Sequence, residues 1–310
     1  MKYWLGIEIG GTKQQIGIVG DDGSVIKKQS GKPALVRGAQ DILDWMESEI
    51  PHLTDGFEIS GAGIGFGGVL DSGKGTSVCS VQVPGWKDFP IRDRFSEMLS
   101  LPCTVVNDTV CGGYAELNVG SGRGKKIFAY TNIGTGCGGS LFVNGRTYNG
   151  TGVGGAYFGQ IYVPDFVTGK PARMENVCSG TAVAKRLRKP GYIPGSSVLY
   201  GKRQDADFRM LCDAVREGDS FACTELDRWA KSYSYAVADI LALLSPERIS
   251  IGGGAANDAD LLLPLIRKHT SRLEFLSSSG RYDIVPCETL DDAVFIGAAL
   301  YARDGFGVIA

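Results

Sequence analysis

The pattern of apolar and polar residues predicts short strands and amphipathic helices along the first half of the chain. Apolar runs bounded by glycine, proline or aspartate predict strands at 3–9, 15–20, near 24–28 and at 103–106, and residues 58–68 predict a buried strand that runs into a loop. Apolar residues at intervals of three and four predict helices over 38–50, 91–99 and 109–119. This mixture of strands and helices predicts an α/β fold.

The same pattern restarts after the first third of the chain. Residues 127–145, "IFAYTNIGTGCGGSLFVNG", again predict a strand, a Gly-Thr corner, a second strand and an Asn-Gly turn. At an offset of 124 residues, the matching positions are Ile9 with Ile133, Gly10 with Gly134, and Val19 with Val143. A glycine-cornered hairpin opens each half, which predicts a duplicated fold with a cleft between the halves.

The second half is richer in predicted helix. The longest predicted helix covers 220–244, and the buried strand "RISIGGG" at 248–254 precedes a helix within 258–275. The closing segment "DDAVFIGAALYARDG" predicts a helix whose small residues suit close packing.

Composition narrows the class of protein. The 310 residues exceed the usual size of one domain, and a net charge of -2 gives no basic field for nucleic acid or an anionic membrane. No apolar run is long enough for a spanning helix, and the N-terminal sequence does not resemble a secretory signal. Eight cysteines without paired spacing indicate free thiols in a reducing cytoplasm, and the lack of CxC, CxxC or HxxxH argues against zinc.

The 45 glycines cluster between apolar runs, and two familiar phosphate motifs do not account for them. A Walker A loop needs a hydroxyl after its lysine, but Gly75 follows Lys74. GxGxxG occurs at 63–68 and 134–139, but neither copy is followed by the helix that a dinucleotide fingerprint needs. Tight hairpins alone would explain one glycine corner. Here several glycine corners each follow a strand. This favours the interpretation that the ends of these strands meet at a ligand-binding site.

Five motifs, in their order along the chain, resemble the ROK family of sugar kinases within the actin-like ATPase and hexokinase superfamily. The motifs are "EIGGTK", "NDTVCGGYAE", "NIGTGCGGS", "MENVCSGTAV" and "ISIGGG", and the resemblance runs from about residue 5 to about residue 303. It implies a duplicated ribonuclease H-like fold of the actin and hexokinase type, with two domains around a cleft. The implied N-terminal lobe is 1–118, joined by a C-terminal helix at 290–310, and the implied C-terminal lobe is 119–289.

The resemblance implies how the chain would bind a nucleotide. Backbone amides at glycine corners can approach phosphates closely, and the implied phosphate residues are Gly10, Gly11, Thr12, Gly134, Thr135 and Gly136. Lys13 would contact phosphate, with a solvated lysine as the alternative. Glu8 would hold Mg²⁺ through water, and Gly253 and Gly254 would lie against adenosine.

The resemblance also implies the catalytic base and the sugar site. Asp108 would accept the proton of the attacking hydroxyl, although an aspartate that caps the helix from 109 is an alternative reading. Gly68, Asn107 and Glu175 would contact the sugar. Tyr157 and Gln160 stand where the family has a sugar-binding glutamate and a histidine that binds sugar and zinc. The cysteine-rich zinc loop is reduced to "RMENVC", so zinc is predicted to be absent, and Trp86 is read as a packing residue.

The implied function is ATP- and Mg²⁺-dependent phosphorylation of a hexose or N-acylhexosamine at its 6-hydroxyl, as in a glucokinase or N-acetylmannosamine kinase. The implied protein is a cytoplasmic homodimer that acts on a small-molecule sugar. One alternative is a sugar-binding regulatory protein without kinase activity, because Glu8, Tyr157 and Gln160 depart from the family pattern. Another is a superfamily ATPase with a non-sugar acceptor. The motifs leave polyphosphate open as a donor beside ATP.

Overall fold

The computed structural model describes residues 1–11, 13–34, 36–80 and 82–305. The chain divides into two units. The first contains 1–124, 140–156 and the residues from 291 onward, and the second contains 125–139 and 157–290.

The first sheet has five strands, of which the first three run antiparallel and the rest parallel. These are β1 (Tyr3–Ile9), β2 (Gln14–Gly20), β3 (Val25–Gly31), β4 (Ile59–Phe66) and β7 (Cys103–Asn107). Their order is β3-β2-β1-β4-β7, with β1 paired antiparallel to β2 and parallel to β4. A short hairpin, β5 (Val69–Asp71) and β6 (Thr76–Cys79), follows β4 and contains Gly73, Lys74 and Gly75 of the Walker-like stretch in its turn.

The second sheet repeats this strand order. Its strands are β8 (Ile127–Ile133), β9 (Cys137–Val143), β10 (Arg146–Thr147), β13 (Arg248–Gly252) and β14 (Asp283–Pro286), in the order β10-β9-β8-β13-β14. A separate hairpin is formed by β11 (Tyr162–Pro164) and β12 (Pro171–Arg173). The repeated order confirms the predicted duplication of a ribonuclease H-like fold.

The helices of the first unit pack around its sheet. They are α1 (Ala39–Thr54), α2 (Ile91–Leu99), α3 (Asp108–Val119) and α9 (Ala293–Arg303). The helix α9 lies against β1, β4 and α3 and belongs to the first unit. Glycines permit this approach: a Cβ at Gly63 would lie 1.8 Å from the carbonyl oxygen of Ala298, and one at Gly297 would lie 1.8 Å from that of Cys111.

The helices of the second unit centre on one long helix. They are α4 (Met174–Cys178), α5 (Gly180–Leu187), α6 (Phe208–Arg216), α7 (Ser220–Leu244) and α8 (Ala259–Thr270). The helix α7 has the predicted bounds and contacts α4, α6 and α8. Trp229 and Tyr233 on its buried face stack with ring centroids 5.3 Å apart, which anchors the helices around it.

Two predictions about side chains, those for Trp86 and for the cysteines, are confirmed. Trp86 is 1% exposed and packs edge-on against Phe66 and Phe89, so it is a core residue. Six of the eight cysteines are buried and all are free, as the scattered spacing indicates. Within the described ranges, no helix has both the length and the apolar character needed to cross a bilayer.

Candidate active site

The first glycine corner joins β1 to β2 and is held by a side chain of β2. The N–H of Gly10 donates to Gln14 Oε1 over 3.1 Å, and Gln14 Nε2 donates to the Gly10 carbonyl over 2.9 Å. Contact between the Gly10 amide and a phosphate therefore requires the bond to Gln14 to break. The side chain of Gln82 lies against Gly11, and Thr12 falls outside the described residues.

Asp108 lies at the point where β7 passes into α3, and it does not cap that helix. The cap is Asn107, whose Oδ1 accepts the Thr109 N–H over 3.0 Å. Asp108 is already the first helical residue, so the reading of Asp108 as the cap is wrong. Asn107 Nδ2 donates to the Gly68 carbonyl over 3.2 Å, which ties the end of β7 to the turn after β4.

Two acidic side chains and a glycine form what we call the carboxylate recess: Glu8, Gly67 and Asp108. The Gly67 N–H donates to the Ile9 carbonyl over 2.9 Å, and a Cβ on Gly67 would lie 3.2 Å from Asp108 Oδ2. Gly67 therefore leaves room for the Asp108 carboxylate beside the end of β1. Burial raises the pKa of Asp108 to about 6, although its hydrogen bond from the Thr109 N–H lowers that pKa.

Glu8 is the second carboxyl group of the recess. Burial raises its pKa to about 7, the charge of Lys13 lowers that pKa, and the charges of Asp108, Asp291 and Asp292 raise it. Glu8 Oε2 is buried and accepts no hydrogen bond from the described residues. A buried carboxylate oxygen without a partner, beside a second carboxylate, suits a hydrated divalent cation. The recess therefore fits Mg²⁺.

The second unit contains a cavity of about 1300 Å³ that we call the large cavity. It brings together the predicted residues Gly134, Thr135 and Gly254. Gly253 lies just behind them with φ of 75°, and a Cβ there would meet Asn132 Oδ1 at 2.3 Å. Glycine at 253 thus lets the end of β13 lie close to the end of β8.

Backbone bonds fix the second glycine corner at one wall of the large cavity. The Gly134 N–H donates to the Gly136 carbonyl over 2.9 Å, so that amide is used within the corner. The Gly180 N–H, at the start of α5, donates to the Gly134 carbonyl over 2.8 Å. The N–H groups of Thr135 and Gly136 make no hydrogen bond within the part of the chain that the structure describes, which leaves them for a ligand.

Cationic residues line the large cavity, and the motifs did not identify them. They are Lys185, Arg188, Lys189, Arg209 and Arg216. Two are fixed by the protein: Arg188 Nε donates to the Ala206 carbonyl, and Arg216 pairs with Asp258 and Asp260 over 2.8 Å. Three of the five lie at helical spacing directly after "CSGTAV", and this spacing was the available sequence signal.

The predicted sugar residues fall into two groups. Gly68, Asn107 and Asp108 lie together in the first unit. Tyr157, Gln160 and Glu175 lie in the second unit, where a 3-10 helix (Phe158–Gln160) follows Tyr157 and the Gln160 side chain is exposed. Glu175 Oε2 accepts the Cys137 N–H over 3.1 Å.

Within the described ranges, no group of three or more His, Cys, Asp or Glu side chains is arranged to hold a metal ion such as zinc. The segment "RMENVC" forms the end of β12 and the helix α4.

Comparisons with known proteins place the chain among carbohydrate kinases in both sequence and structure. The model of the ROK family matches residues 4–305. The chain is 29% identical over 310 residues to a glucokinase from Thermotoga maritima, with 98% of each protein covered. It is 25% identical over 308 residues to an N-acetylmannosamine kinase from Yersinia pestis, which covers 96% of this chain and 98% of that one.

A solved structure of a ROK family kinase is similar to this chain. A ROK family glucokinase from Streptomyces griseus, crystallised with glucose and AMPPNP, matches with a TM-score of 0.85 and 25% identity, covering 98% of this chain and 100% of that one. The similarity therefore extends over nearly the whole chain.

Proposed function

The chain belongs to the ROK family, and from this premise we propose that it transfers the terminal phosphoryl group of ATP to the 6-hydroxyl of a hexose or an N-acylhexosamine. The similarity to a glucokinase and to an N-acetylmannosamine kinase supports this substrate class. The observation that carries the proposal is Asp108, a carboxylate held open beside Gly67 with its pKa raised to about 6. A base with that pKa is deprotonated at neutral pH and still basic enough to take a proton.

In the proposed reaction, the sugar hydroxyl oxygen bonds to the terminal phosphorus while the bond from that phosphorus to the ADP oxygen breaks. Asp108 Oδ2 takes the hydroxyl proton. Asn107 holds Asp108 in place, because its amide both caps α3 and ties β7 to Gly68. Phosphoryl transfer depends mainly on such positioning and on neutralising charge.

The large cavity would hold the nucleotide. We propose that the free amides of Thr135 and Gly136 donate to phosphate oxygens and that Gly254 borders the adenosine. The cationic residues Lys185, Lys189 and Arg209 would add positive charge around an anionic ligand. Lys13, whose charge acts on Glu8, is proposed to contact phosphate in the first unit.

Mg²⁺ would be held by Glu8 through water, where it neutralises phosphate charge. Zinc is not part of the proposal, because "RMENVC" lacks the cysteine triplet of the family's zinc loop, and Gln160 stands where the family has a zinc-binding histidine. Tyr157 and Gln160 are proposed to reshape the pocket for the first two sugar carbons. A cytoplasmic homodimer remains a prediction from the resemblance.

The base is tested by Asp108→Asn with Asp93→Asn as control, an exposed aspartate on α2 in the same unit. Both variants and the parent protein are assayed with coupled enzymes on glucose, mannose, fructose, allose and the N-acetylhexosamines. We expect Asp108→Asn to lower kcat by about 10²- to 10⁴-fold on the best sugar, with the KM for ATP changed by less than about twofold. Full activity of Asp108→Asn would overturn the role of Asp108.

The regulatory alternative predicts a different result from the same assay. Calorimetry would detect sugar binding to the parent protein while none of the sugars is phosphorylated. Turnover of any sugar at a rate that depends on Asp108 rules that alternative out.

A further inference from the structure

Gln15, on β2, has a buried oxygen atom that the described residues leave without a hydrogen bond. The residue is 3% exposed, and its Nε2 donates to Ser30 Oγ over 3.1 Å. Its Oε1 is buried and accepts no hydrogen bond from the described part of the chain. Buried amide oxygens are nearly always paired in folded proteins. This atom therefore indicates a partner that comes from outside the described residues.

The pairing of the strands places Gln15 beside Glu8. In the antiparallel pair of β1 and β2, the two residues lie directly opposite each other. Directly opposed side chains share one face of a sheet, with Cβ atoms about 5 Å apart. Glu8 Oε2 is also buried and also accepts no hydrogen bond from the described residues. Two neighbouring side chains thus each carry a buried acceptor oxygen that lacks a donor.

Ser30 determines how the amide of Gln15 is turned. Ser30 lies opposite Gln15 on β3, and Glu8 lies opposite it on β1, so the two flank Gln15 on different sides. Because the amide nitrogen is bonded to Ser30, the amide oxygen is turned away from Ser30. Gln15 Oε1 is therefore available on the side of the sheet where Glu8 and the carboxylate recess lie.

The helix α9 covers this face of the sheet. Gly17, two residues after Gln15 and on the same face, lies under the ring of Phe295, which a Cβ there would meet at 2.5 Å. Gly65, the neighbour of Glu8 on β4, lies under Val294, which a Cβ there would also meet at 2.5 Å. The start of α9 therefore shields Glu8 and Gln15 from bulk water.

The charges around this face suit a hydrated cation. Asp108, Asp291 and Asp292 are near enough to act on Glu8, and Lys13 is the opposing positive charge. No group of three acidic, His or Cys side chains among the described residues is arranged to hold a metal directly. Mg²⁺ keeps several of its water molecules in proteins, and these direct their hydrogens outward. Acceptor oxygens without donors are the partners that such water molecules need.

We propose that Gln15 is a second partner of the divalent cation, with Gln15 Oε1 and Glu8 Oε2 each accepting a hydrogen bond from a water molecule of its hydration shell. This inference rests on the proposed function, from which it takes Mg²⁺ at Glu8. It adds a residue that lies outside the implied phosphate residues and that no sequence motif assigned.

The inference is tested with Mn²⁺ as a probe for Mg²⁺. Mn²⁺ is titrated into each protein at pH 8, with and without one fixed concentration of ADP, and free Mn²⁺ is followed by electron paramagnetic resonance. Gln15→Met removes the amide at similar volume and should raise the Kd for Mn²⁺ about 10-fold. Gln15→Glu keeps an acceptor and adds charge, so it should bind Mn²⁺ at least as tightly as the parent. Gln40→Met, at an exposed glutamine on α1, is the matched control and should stay within about twofold.

Two further variants locate the effect. Glu8→Gln should also weaken Mn²⁺ binding, because both oxygens serve the same ion. Gln15→Asn keeps the amide but is one methylene shorter, so it should bind Mn²⁺ as weakly as Gln15→Met, and it decides the matter if Gln15→Met does not fold.

Activity provides a second readout. In Gln15→Met, the Mg²⁺ concentration for half-maximal activity should rise about 10-fold, while kcat at saturating Mg²⁺ stays within about twofold of the parent value. A general loss of structure would lower kcat as well. A parent protein that binds Mn²⁺ but phosphorylates no sugar would refute the proposed function, and the Mn²⁺ titrations would still test Gln15.

Three results would overturn the inference. One is Gln15→Met with the same affinity for Mn²⁺ as the parent protein. Another is Gln15→Glu binding Mn²⁺ as weakly as Gln15→Met, because then an acceptor oxygen at this position would not be what matters. The third is Glu8→Gln binding Mn²⁺ as tightly as the parent, because the ion would then lie elsewhere.

Discussion

In the carboxylate recess, the charge of Asp108 acts on Glu8. Burial is the main reason that the pKa of Asp108 is raised to about 6 and that of Glu8 to about 7, and the charge of Asp108 raises the pKa of Glu8 further. Two buried carboxylates near each other are hard to ionise together. A cation bound at Glu8 would relieve this repulsion and favour the charged form of both groups.

This electrostatic arrangement predicts the acid side of the pH–rate profile. Asp108 must be deprotonated to accept a proton, so activity should fall as pH falls through its pKa of about 6. With Mg²⁺ saturating, kcat/KM for the best sugar measured from pH 5 to pH 9 should show an acid limb between pH 5 and that value, because the bound cation favours the charged form of Asp108. Asp93→Asn should keep the limb, and a flat profile down to pH 5 would contradict the prediction.

Some contacts of single residues could not be predicted from the sequence. The motif placed Asp108 correctly at the end of β7, but it could not tell whether Asn107 or Asp108 caps α3, because both residue types favour that position. The bond between Gly10 and Gln14 links residues four apart, and its formation depends on the turn geometry of β1 and β2. The contact of Glu175 with Cys137 joins residues 38 positions apart, which no local pattern can predict.

At the scale of elements, the packing of α9 depends on positions without side chains. Gly6 faces the carbonyl of Phe295, Gly63 faces that of Ala298, and Gly297 faces that of Cys111, each with a would-be Cβ under 2 Å from the oxygen. These neighbours are backbone atoms, so they cannot move aside by a change of rotamer. The close approach of α9 to β1, β4 and α3 therefore depends on these three glycines.

We expect Gly63→Ala to destabilise the first unit by about 3 kcal/mol or to prevent its folding, because the added methyl group overlaps the Ala298 carbonyl. Gly152→Ala is the matched control in the same unit, since nothing lies within 4 Å of its would-be Cβ. That variant should stay within about 0.5 kcal/mol of the parent protein. Urea unfolding followed by tryptophan fluorescence measures both, and equal midpoints would contradict the prediction.

Helices and strands were predicted correctly where the spacing of apolar residues was regular. The helices α2 and α7 have the predicted bounds, and β1 covers the predicted residues 3–9. No element was predicted between 146 and 219, although β11, β12 and α4 to α6 lie there. Two of these helices, α4 and α5, have five and eight residues, too short for a periodic pattern to show, and contacts with α7 stabilise α4.

At the scale of the whole molecule, each unit of the duplicated fold has its own glycine corner, but the two units differ in the charged side chains that they carry. The first unit has the carboxylate recess, and the second has the large cavity with its cationic residues. The repeated motif was enough to predict the duplicated fold. The cations were not part of the repeat, because they lie on α5, directly after it, and on α6, for which the first half of the chain has no counterpart motif.

The raised pKa of Glu8 also reduces the stability of the whole fold at neutral pH. A carboxyl group whose pKa is higher in the folded state than its ordinary 4.5 stabilises the fold fully only below pH 4.5, and the contribution is lost as pH rises through its folded pKa of about 7. Above that pH, the free energy of unfolding is lower than it is below pH 4.5 by an amount on the order of 3 kcal/mol, because Glu8 is then a buried charge. Function explains why such a residue persists, since a charged Glu8 is what a divalent cation needs.

Replacing Glu8 by glutamine should therefore both stabilise the protein and inactivate it. We expect Glu8→Gln to raise Tm by several degrees at pH 8 and by much less at pH 5, where Glu8 is already protonated. Differential scanning calorimetry at both pH values, without Mg²⁺, measures the difference. Glu58→Gln, a change at an exposed glutamate in the same unit, should show no such dependence on pH. A Glu8→Gln variant with the same gain at both pH values would mean that the stabilisation comes from packing and not from the buried charge.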